Sequence, residues 1–447
     1  MPYRVSMDDP ALAVGNFDGN GLKDVYIGNS SGNAAKFFLN NRYEFKEKSI
    51  ECFEQDAVFE DNAALFFDAD NDGDLDLYVG SGVPLIQEEK FFVDRLYINY
   101  EGDFKKSDNK IPLNFYNTSV VLSFDYDFDG DLDLFVGNRS KPYHFGEPVK
   151  SHILRNDGYG NFTISEDFII EGNVSDAIIK DVNGDEILDL LIALEWDAPK
   201  IYLGTGKKFK SVNFNSELKG LWQAIEAFDV DRDGDLDIVL GNWGLNTKFS
   251  LNETPITMYY SDFDRNGESE IITTYSINGE EYPLNSLGEL KSQMTQIGRY
   301  FTTNASFAGK SIDEIFDSSV FEKSISYSIN QLASGYIRND DGMFLYFEPF
   351  DKSLQTAPIR VFLPITIKND KGLLVFGNAL DVNTYHGGYS SLKGSWLKSA
   401  NEFIMLSDLG IDPLSEQVKA AALVNFNNQD MLIIVSNNSE IKTFIFN

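Results

Sequence analysis

The chain has 447 residues, with 37 Lys plus Arg against 70 Asp plus Glu and a formal charge of −33 at pH 7. That balance excludes nucleic acid and anionic membrane surfaces as direct partners, because both repel a polyanion. A hydrophobic content of 43%, with 36 Phe and 21 Tyr, supports a packed core and excludes an acidic disordered chain.

In chain order, the start MPYRVSMDDP has no apolar signal core, and residues 2–7 read as a strand. ALAVGNF then leads into the acidic loop NFDGNGLKD at 16–24. The same nine-residue pattern returns as DADNDGDLD at 68–76, DYDFDGDLD at 125–133, DVNGDEILD at 181–189, DVDRDGDLD at 229–237 and DFDRNGESE at 262–270. Positions 1, 3 and 5 are Asp or Asn, position 9 is Asp or Glu, and position 6 is Gly except at Glu186. Hard cations such as calcium take six to eight oxygen ligands, and alternating carboxylates on a tight loop aim several oxygens at one point. Glycine at position 6 permits the sharp turn.

The candidate ligands are therefore Asn16, Asp18, Asn20, Leu22 and Asp24, then Asp68, Asp70, Asp72, Asp74 and Asp76, then Asp125, Asp127, Asp129, Asp131 and Asp133. The last three loops add Asp181, Asn183, Asp185, Ile187 and Asp189, then Asp229, Asp231, Asp233, Asp235 and Asp237, then Asp262, Asp264, Asn266, Glu268 and Glu270. Position 7 acts through its backbone carbonyl, since Leu22 and Ile187 hold it in two copies. Up to six Ca2+ ions are expected. An EF-hand would need a bidentate Glu at position 12, where this chain has Ile27, Val79, Val136, Ile192, Leu240 and Thr273. Strands follow instead: LDLYVG, LDLFVG, LDLLIAL and LDIVLG are short, β-rich and apolar.

Each such hairpin precedes a second one: KFFLNNRYEF, RLYINYEGDF, HILRNDGYGNF, KIYLGTGKKF, SGYIRNDDGMF and GSWLKSANEF. Loop starts at 16, 68, 125, 181 and 229 set a four-strand period of about 50 residues, the signature of propeller blades. PITIKNDKGLLVFGN and AALVNFNNQDMLIIVS are inner hairpins without the acids. The sequence thus predicts an all-β, seven-bladed β-propeller over 1–447, with eight blades as the alternative. An inserted calcium hairpin is expected at 255–276 and a helical insertion at 284–330. Leu287, Leu290, Met294, Ile297 and Phe301 recur at helical spacing, and Ser286 with Glu289 and Ser311 with Glu314 form capping boxes, predicting two helices. The strand at 2–7 is expected to complete the last blade beside IKTFIF.

The remaining chemistry is sparse. Cys52 is alone, so no internal disulfide forms, and His144, His152 and His386 are too dispersed for a zinc site. No apolar run reaches the roughly 18–20 residues of a transmembrane helix. The GxSxG match at 28–32 (GNSSG) runs into a strand, not the helix a nucleophile elbow needs.

The acidic loops, their spacing and the LDLYVG-type strands resemble the FG-GAP or VCBS repeat β-propellers, a group that includes integrin α heads. GNWGLNTKF at 241–249, with the loop and helical segment after it, is similar to exported Bacteroidetes-type VCBS-repeat proteins related to cartilage acidic protein. An ASPIC/UnbV domain, frequent in those proteins, is not expected here. The resemblance implies calcium binding and extracellular or cell-surface placement, which also suits loops that bind calcium at about 0.1–1 mM.

The face opposite the calcium loops is expected to collect Tyr143, His144, Trp196, Trp243, His386 and Tyr389, aromatic or amphipathic side chains that suit a protein or glycan ligand. For Trp196 and Trp243, packing against the ring is the competing reading. A non-enzymatic binding or scaffold module is the leading expectation, since every repeated acidic feature is absorbed by ion binding. The alternatives are a polysaccharide lyase or glycoside hydrolase working at the central cavity, and a calcium-dependent lectin.

Overall fold

The computed structural model describes residues 10–84, 88–212, 214–249, 255–383 and 387–446. The described chain forms eight antiparallel sheets. The first comprises Leu12–Gly15, Asp24–Ile27, Lys36–Asn40 and Phe45–Glu47; the second Asp61–Phe67, Asp76–Ser81, Arg95–Tyr100 and Asp103–Lys106. The third is Asn117–Phe124, Asp133–Ser140, Lys150–Asn156 and Phe162–Glu171; the fourth Asn173–Lys180, Asp189–Asp197, Lys200–Gly204 and Phe209–Val212. The fifth joins Ala224–Phe228 and Asp237–Gly241 to the distant Gly335–Asp340 and Met343–Pro349. The sixth is Ile359–Ile367, Asp370–Gly377, Ser395–Ser399 and Glu402–Met405, and the seventh Val418–Phe426, Gln429–Ser436 and Lys442–Ile445.

These seven sheets are blades. Their first strands touch in sequence around a ring, from Leu12–Gly15 to Asp61–Phe67 and onward to Val418–Phe426, which returns to Leu12–Gly15. Apolar clusters fill the wedges between neighbours. Phe17, Tyr26 and Phe37 of blade one meet Phe66, Leu77 and Phe104 of blade two. Val25 and Ile27 of blade one meet Val424, Met431 and Ile433 of blade seven, which closes the circle. The strand expected at 2–7 lies outside the described residues.

Strand character follows position in the wedge. Second strands are covered on both sides, so Asp76–Ser81 and Asp133–Ser140 are buried throughout. The outermost strand of blade three, Phe162–Glu171, buries only some of its residues and leaves the others to solvent. The glycine that ends the LDLYVG and LDIVLG runs has a packing reason. A Cβ on Gly80 would sit 2.5 Å from Thr118 Cγ2 of the next blade, and one on Gly241 would sit 2.5 Å from the Ile359 carbonyl. Neither approach leaves room for a side chain.

Blades six and seven replace the ion loop with two-residue turns. Lys368 and Asn369, and then Asn427 and Asn428, all have positive φ, the geometry of a tight hairpin that matches strand twist.

Residues 242–334 leave blade five and return to it. The expected hairpin at 255–276 is larger in the structure: Ile256–Ser261 and Glu270–Ile277 are flanked by Glu280–Pro283 and Ile325–Ile329 in a separate four-stranded sheet. The two expected helices are instead five short ones, at Leu287–Gln293, Ile297–Tyr300, Asn304–Phe307, Ile312–Ile315 and Ser318–Phe321. Both capping boxes form, at Ser286 with Glu289 and at Ser311 with Glu314. Thr303 and Asp317 cap two more of them through their side chains. Leu287, Leu290, Met294 and Ile297 pack on Phe263 and Ile272 of the sheet.

Candidate metal centres

The six acidic loops share one backbone path. Position 6 has positive φ in every copy, and Glu186, the one residue there that is not glycine, adopts φ 65°. Position 4 is also left-handed, at Gly19, Asn71, Phe128, Gly184, Arg232 and Arg265. That second constraint was not anticipated from sequence, since Phe and Arg give no hint of it. For Phe128, Arg232 and Arg265 this conformation costs about 1–2 kcal/mol relative to a right-handed one, which Gly19 and Gly184 avoid.

The side chains divide the work. Position 1 accepts from the loop's own backbone: Asp68 from the N–H groups of Asp72 and Gly73, Asp125 from Asp129 and Gly130, Asp262 from Asn266 and Gly267. Position 5 accepts from position 7, as in Asp72 with Asp74 N–H at 2.9 Å and Asp129 with Asp131 N–H at 3.0 Å. Position 9 is buried and bridges strands. Asp76 accepts from Ala69 N–H at 2.8 Å and Asn99 N–H at 2.7 Å, and Asp133 from Tyr126 and Asn156. Asp24, Asp189 and Asp237 repeat the clamp. Glu270 accepts from Phe263 N–H.

Position 3 is different. Asp70, Asp127 and Asp264 each keep one carboxylate oxygen buried without a hydrogen-bond partner, whereas the corresponding Oδ2 of Asp231 lies 3.3 Å from the Arg338 guanidinium. In those same four loops, one oxygen from each of positions 1, 3 and 9 lies within 4.8 Å of the others: Asp68, Asp70 and Asp76; Asp125, Asp127 and Asp133; Asp229, Asp231 and Asp237; Asp262, Asp264 and Glu270. Three carboxylates converging on an unpartnered buried oxygen fit a hard cation. Loops one and four differ because an amide replaces an acid of the triple itself, Asn16 at position 1 and Asn183 at position 3. Asn20 Nδ2 donates to Asp18, and Asn183 Nδ2 donates to Asp185, so those carboxylates are partly engaged.

The electrostatics agree. Burial pushes the Asp76 carboxyl up to about 7 and Glu270 to about 7, in each case against the pull of a backbone N–H and with the neighbouring loop acids adding to the rise. Burial likewise holds Asp133, Asp189 and Asp237 at about 6. Asp70 is raised by burial and then by Asp72 and Asp68. Without a cation, these groups oppose one another.

A second set of residues was present in the quoted hairpins but unread. Asn40, Asn99, Asn156 and Asn339 end the third strands, and each donates its backbone N–H to the position-9 carboxylate. Asn156 Nδ2 also reaches the Leu132 carbonyl of its own loop and the Ala69 carbonyl of blade two. Asn339 joins Leu236 to Val182 of blade four, and Asn40 joins Lys23 to Asn425 of blade seven. The recurrent Asn in FLNN, INY and RND carried the signal. The loops thereby act as seams between blades as well as turns within them.

The expected aromatic face is only partly a surface. Trp196 and Trp243 are 2% and 1% exposed and belong to the core near blades five and six, so neither offers a ring to a ligand. Tyr389 is buried too, its ring 5.5 Å from Trp243 and its hydroxyl 3.1 Å from Thr247 Oγ1. Large rings on connections near the ring were more valuable as packing than as display. Tyr143 is exposed, with φ 63° and its hydroxyl donating to the Pro84 carbonyl, and His144 beside it is half-buried. His386 lies outside the described residues. Near Lys141, in the same connection, Leu113, Phe115, Ile164 and Ile169 border a groove of about 460 Å3 with His152 and Lys150. Ser30 of the GNSSG stretch is exposed, and the next element is the strand Lys36–Asn40. No helix among the described residues is long and apolar enough to cross a membrane.

Residues 16–79 and 181–240 match the model of the FG-GAP-like repeat family. No curated protein matches the chain. Among solved structures, the chain is similar to BBS1N in complex with ARL6DN, at 9% identity and TM-score 0.45, covering 100% of this chain and 93% of that one. It is also similar to the Dos1 propeller, at 9% identity and TM-score 0.39 over 99% and 93% of the two chains. The Vibrio cholerae biofilm matrix protein Bap1 gives 10% identity and TM-score 0.39 over 99% and 88%.

Proposed function

We propose that this chain, a β-propeller carrying FG-GAP-like repeats, is a calcium-stabilised binding module without catalytic activity, placed outside the cell or on its surface. The observation that supports it best is the repeated triple of carboxylates, set around an unpartnered buried oxygen in loops two, three and six and beside Arg338 in loop five. Donor chemistry favours calcium. All donors are oxygens, they come from a turn with alternating carboxylates, and sulfur and imidazole are missing from the motif. Loops one and four, with an amide at position 1 or 3, are the weaker sites. Asp68, Asp70 and Asp76 and their counterparts would hold the ion; its chemistry there is charge neutralisation.

The partner-facing surface is the connection side of blade three. Leu113, Phe115, Ile164 and Ile169 are 70%, 42%, 46% and 49% exposed around one groove, with Tyr143 at 53% nearby. A contiguous apolar patch of this kind suits a protein side chain better than a sugar ring.

The deciding experiment is calorimetric titration of chelator-stripped protein with calcium and with magnesium, alongside melting curves. Saturable calcium binding at four or more sites that raises the melting temperature, with magnesium much weaker, is the expected result. Unchanged melting in calcium and chelator overturns the ion reading.

A further inference from the structure

Three departures from the repeat of the acidic loops meet at one place. Position 4 is Phe128 in loop three, where the other copies have Gly, Asn or Arg, and that side chain is 57% exposed. Position 6 is Glu186 in loop four, where the other copies have Gly, and position 7 beside it is Ile187, where four copies have an acid. Phe128 and Glu186 hold φ of 62° and 65°, a conformation that glycine adopts without strain. Neither residue is among the ion ligands, so ion binding does not account for them. All three line a single pocket of about 240 Å3 between blades three and four.

The pocket wall is aromatic and its charge is mostly acidic. Phe124, Tyr126 and Phe209 pack with ring centres 5.5 to 6.2 Å apart, and the exposed Phe128 adds a fourth ring. Tyr126 already attracts one cation: the Arg155 guanidinium lies 5.5 Å from its ring centre without itself lining the pocket. Asp125 and Glu186 are the lining acids, and Lys208 is the one lining base. The Asp125 carboxylate accepts from the N–H groups of Asp129 and Gly130, whereas the Glu186 carboxylate has no hydrogen bond or ion pair among the described residues. Loop three holds five carboxylates and loop four holds four, so both stay net negative with a divalent ion in place.

We propose that this pocket binds a small quaternary ammonium compound, a compact cation wrapped in methyl groups. The ring faces attract its charge, and the methyl groups bury against the same rings. Glu186 supplies the unpaired countercharge, which explains an acid where the repeat has glycine. A primary ammonium would bring three N–H donors to a wall made mostly of rings and aliphatic side chains, whereas a quaternary one brings none. The acidic loops repel a phosphate, which sets a free cation above a phosphate-bearing headgroup. The site is separate from the protein-binding groove of blade three, and does not depend on which ion the loops take.

The test is calorimetric titration of calcium-loaded protein with choline chloride. The comparators are phosphocholine and the uncharged isostere of choline, in which a tert-butyl group replaces the trimethylammonium. Choline is expected to bind saturably, the isostere about tenfold more weakly, and phosphocholine more weakly because its phosphate meets the acidic loops. Phe128→Arg, a residue that loops five and six hold at this position with φ of 65° and 60°, should weaken choline by about tenfold or more and leave the melting temperature unchanged. Glu186→Gly should also weaken choline, with the melting temperature unchanged or raised. Lys208→Ala removes the opposing charge and should tighten binding. Absence of choline binding, equal or tighter binding of either comparator, unchanged affinity in both loop variants, or weaker binding in Lys208→Ala would overturn it.

Discussion

Substituting Asp70 by Asn separates two effects that act on the same side chain. Its Oδ1 is buried without a partner, and its carboxyl is raised by burial and by Asp72 and Asp68. With the ion absent, removing that charge relieves repulsion. With the ion bound, it removes a ligand. A loop with a Kd of about 0.1 mM in about 10 mM free calcium contributes about 2.7 kcal/mol. At about 2.1 cal/mol/K per residue, a chain of 447 residues has an unfolding entropy near 0.9 kcal/mol/K at its midpoint. One loop therefore moves Tm by about 3 °C, and the four convergent loops together by about 12 °C. Asp70→Asn should lower Tm by about 3 °C in calcium and raise it by about 1 °C in chelator. Differential scanning calorimetry under both conditions reads the sign directly. A shift of the same sign in calcium and in chelator would refute the reasoning, because a purely structural aspartate does not change sign with the ion.

Other substitutions probe the frame. Asn339→Ala leaves the carbonyls of Leu236 and Val182 short of a donor at a site 1% exposed, and should cost about 2–4 kcal/mol by denaturant titration, whereas Asn304→Ala at an exposed helical position should cost nothing measurable. Arg95→Met strands Asp61, its partner at 2.7 Å in a pair that is almost fully buried, and should cost about 3–5 kcal/mol; a loss below about 1 kcal/mol would show that the pair is dispensable. Gly80→Ala forces a methyl against Thr118 and should cost about 1–3 kcal/mol in the same titration. Burial holds His152 at about 4, below its ordinary 6.5, so its neutral form stabilises the fold above pH 6.5. That contribution, about 3 kcal/mol at most, is lost as pH falls from 6.5 towards 4, and His152→Gln should flatten this part of the stability curve.

Features with a local period were readable before any coordinates. The acidic nonapeptides, the apolar strands after them and both capping boxes depend on neighbours within a few residues, and the family match at 16–79 and 181–240 falls on the same repeats. Features set by contacts between blades were not. Trp196 and Trp243 look like display residues until the ring closes over them. Asn156 and Asn339 look like ordinary turn residues until the carbonyl they reach turns out to belong to the preceding blade. The left-handed Phe128 and Arg265 are set by the loop path that their neighbours impose. The rings of Phe124 and Phe209 meet across the seam between blades three and four, and no local pattern foretells it.

The tight two-residue turns of blades six and seven divide the circumference into two arcs. One arc carries the acidic loops and the other has tight turns in their place, while the joint between the last blade and the first is packed by apolar side chains and stitched by Asn40 to the Asn425 carbonyl. On the proposed calcium reading, chelation leaves like charges opposed along blades two to five while the joint keeps its packing. A protease added to the chelated protein should therefore cut first among residues 68–270, and release a resistant fragment that contains the final two blades.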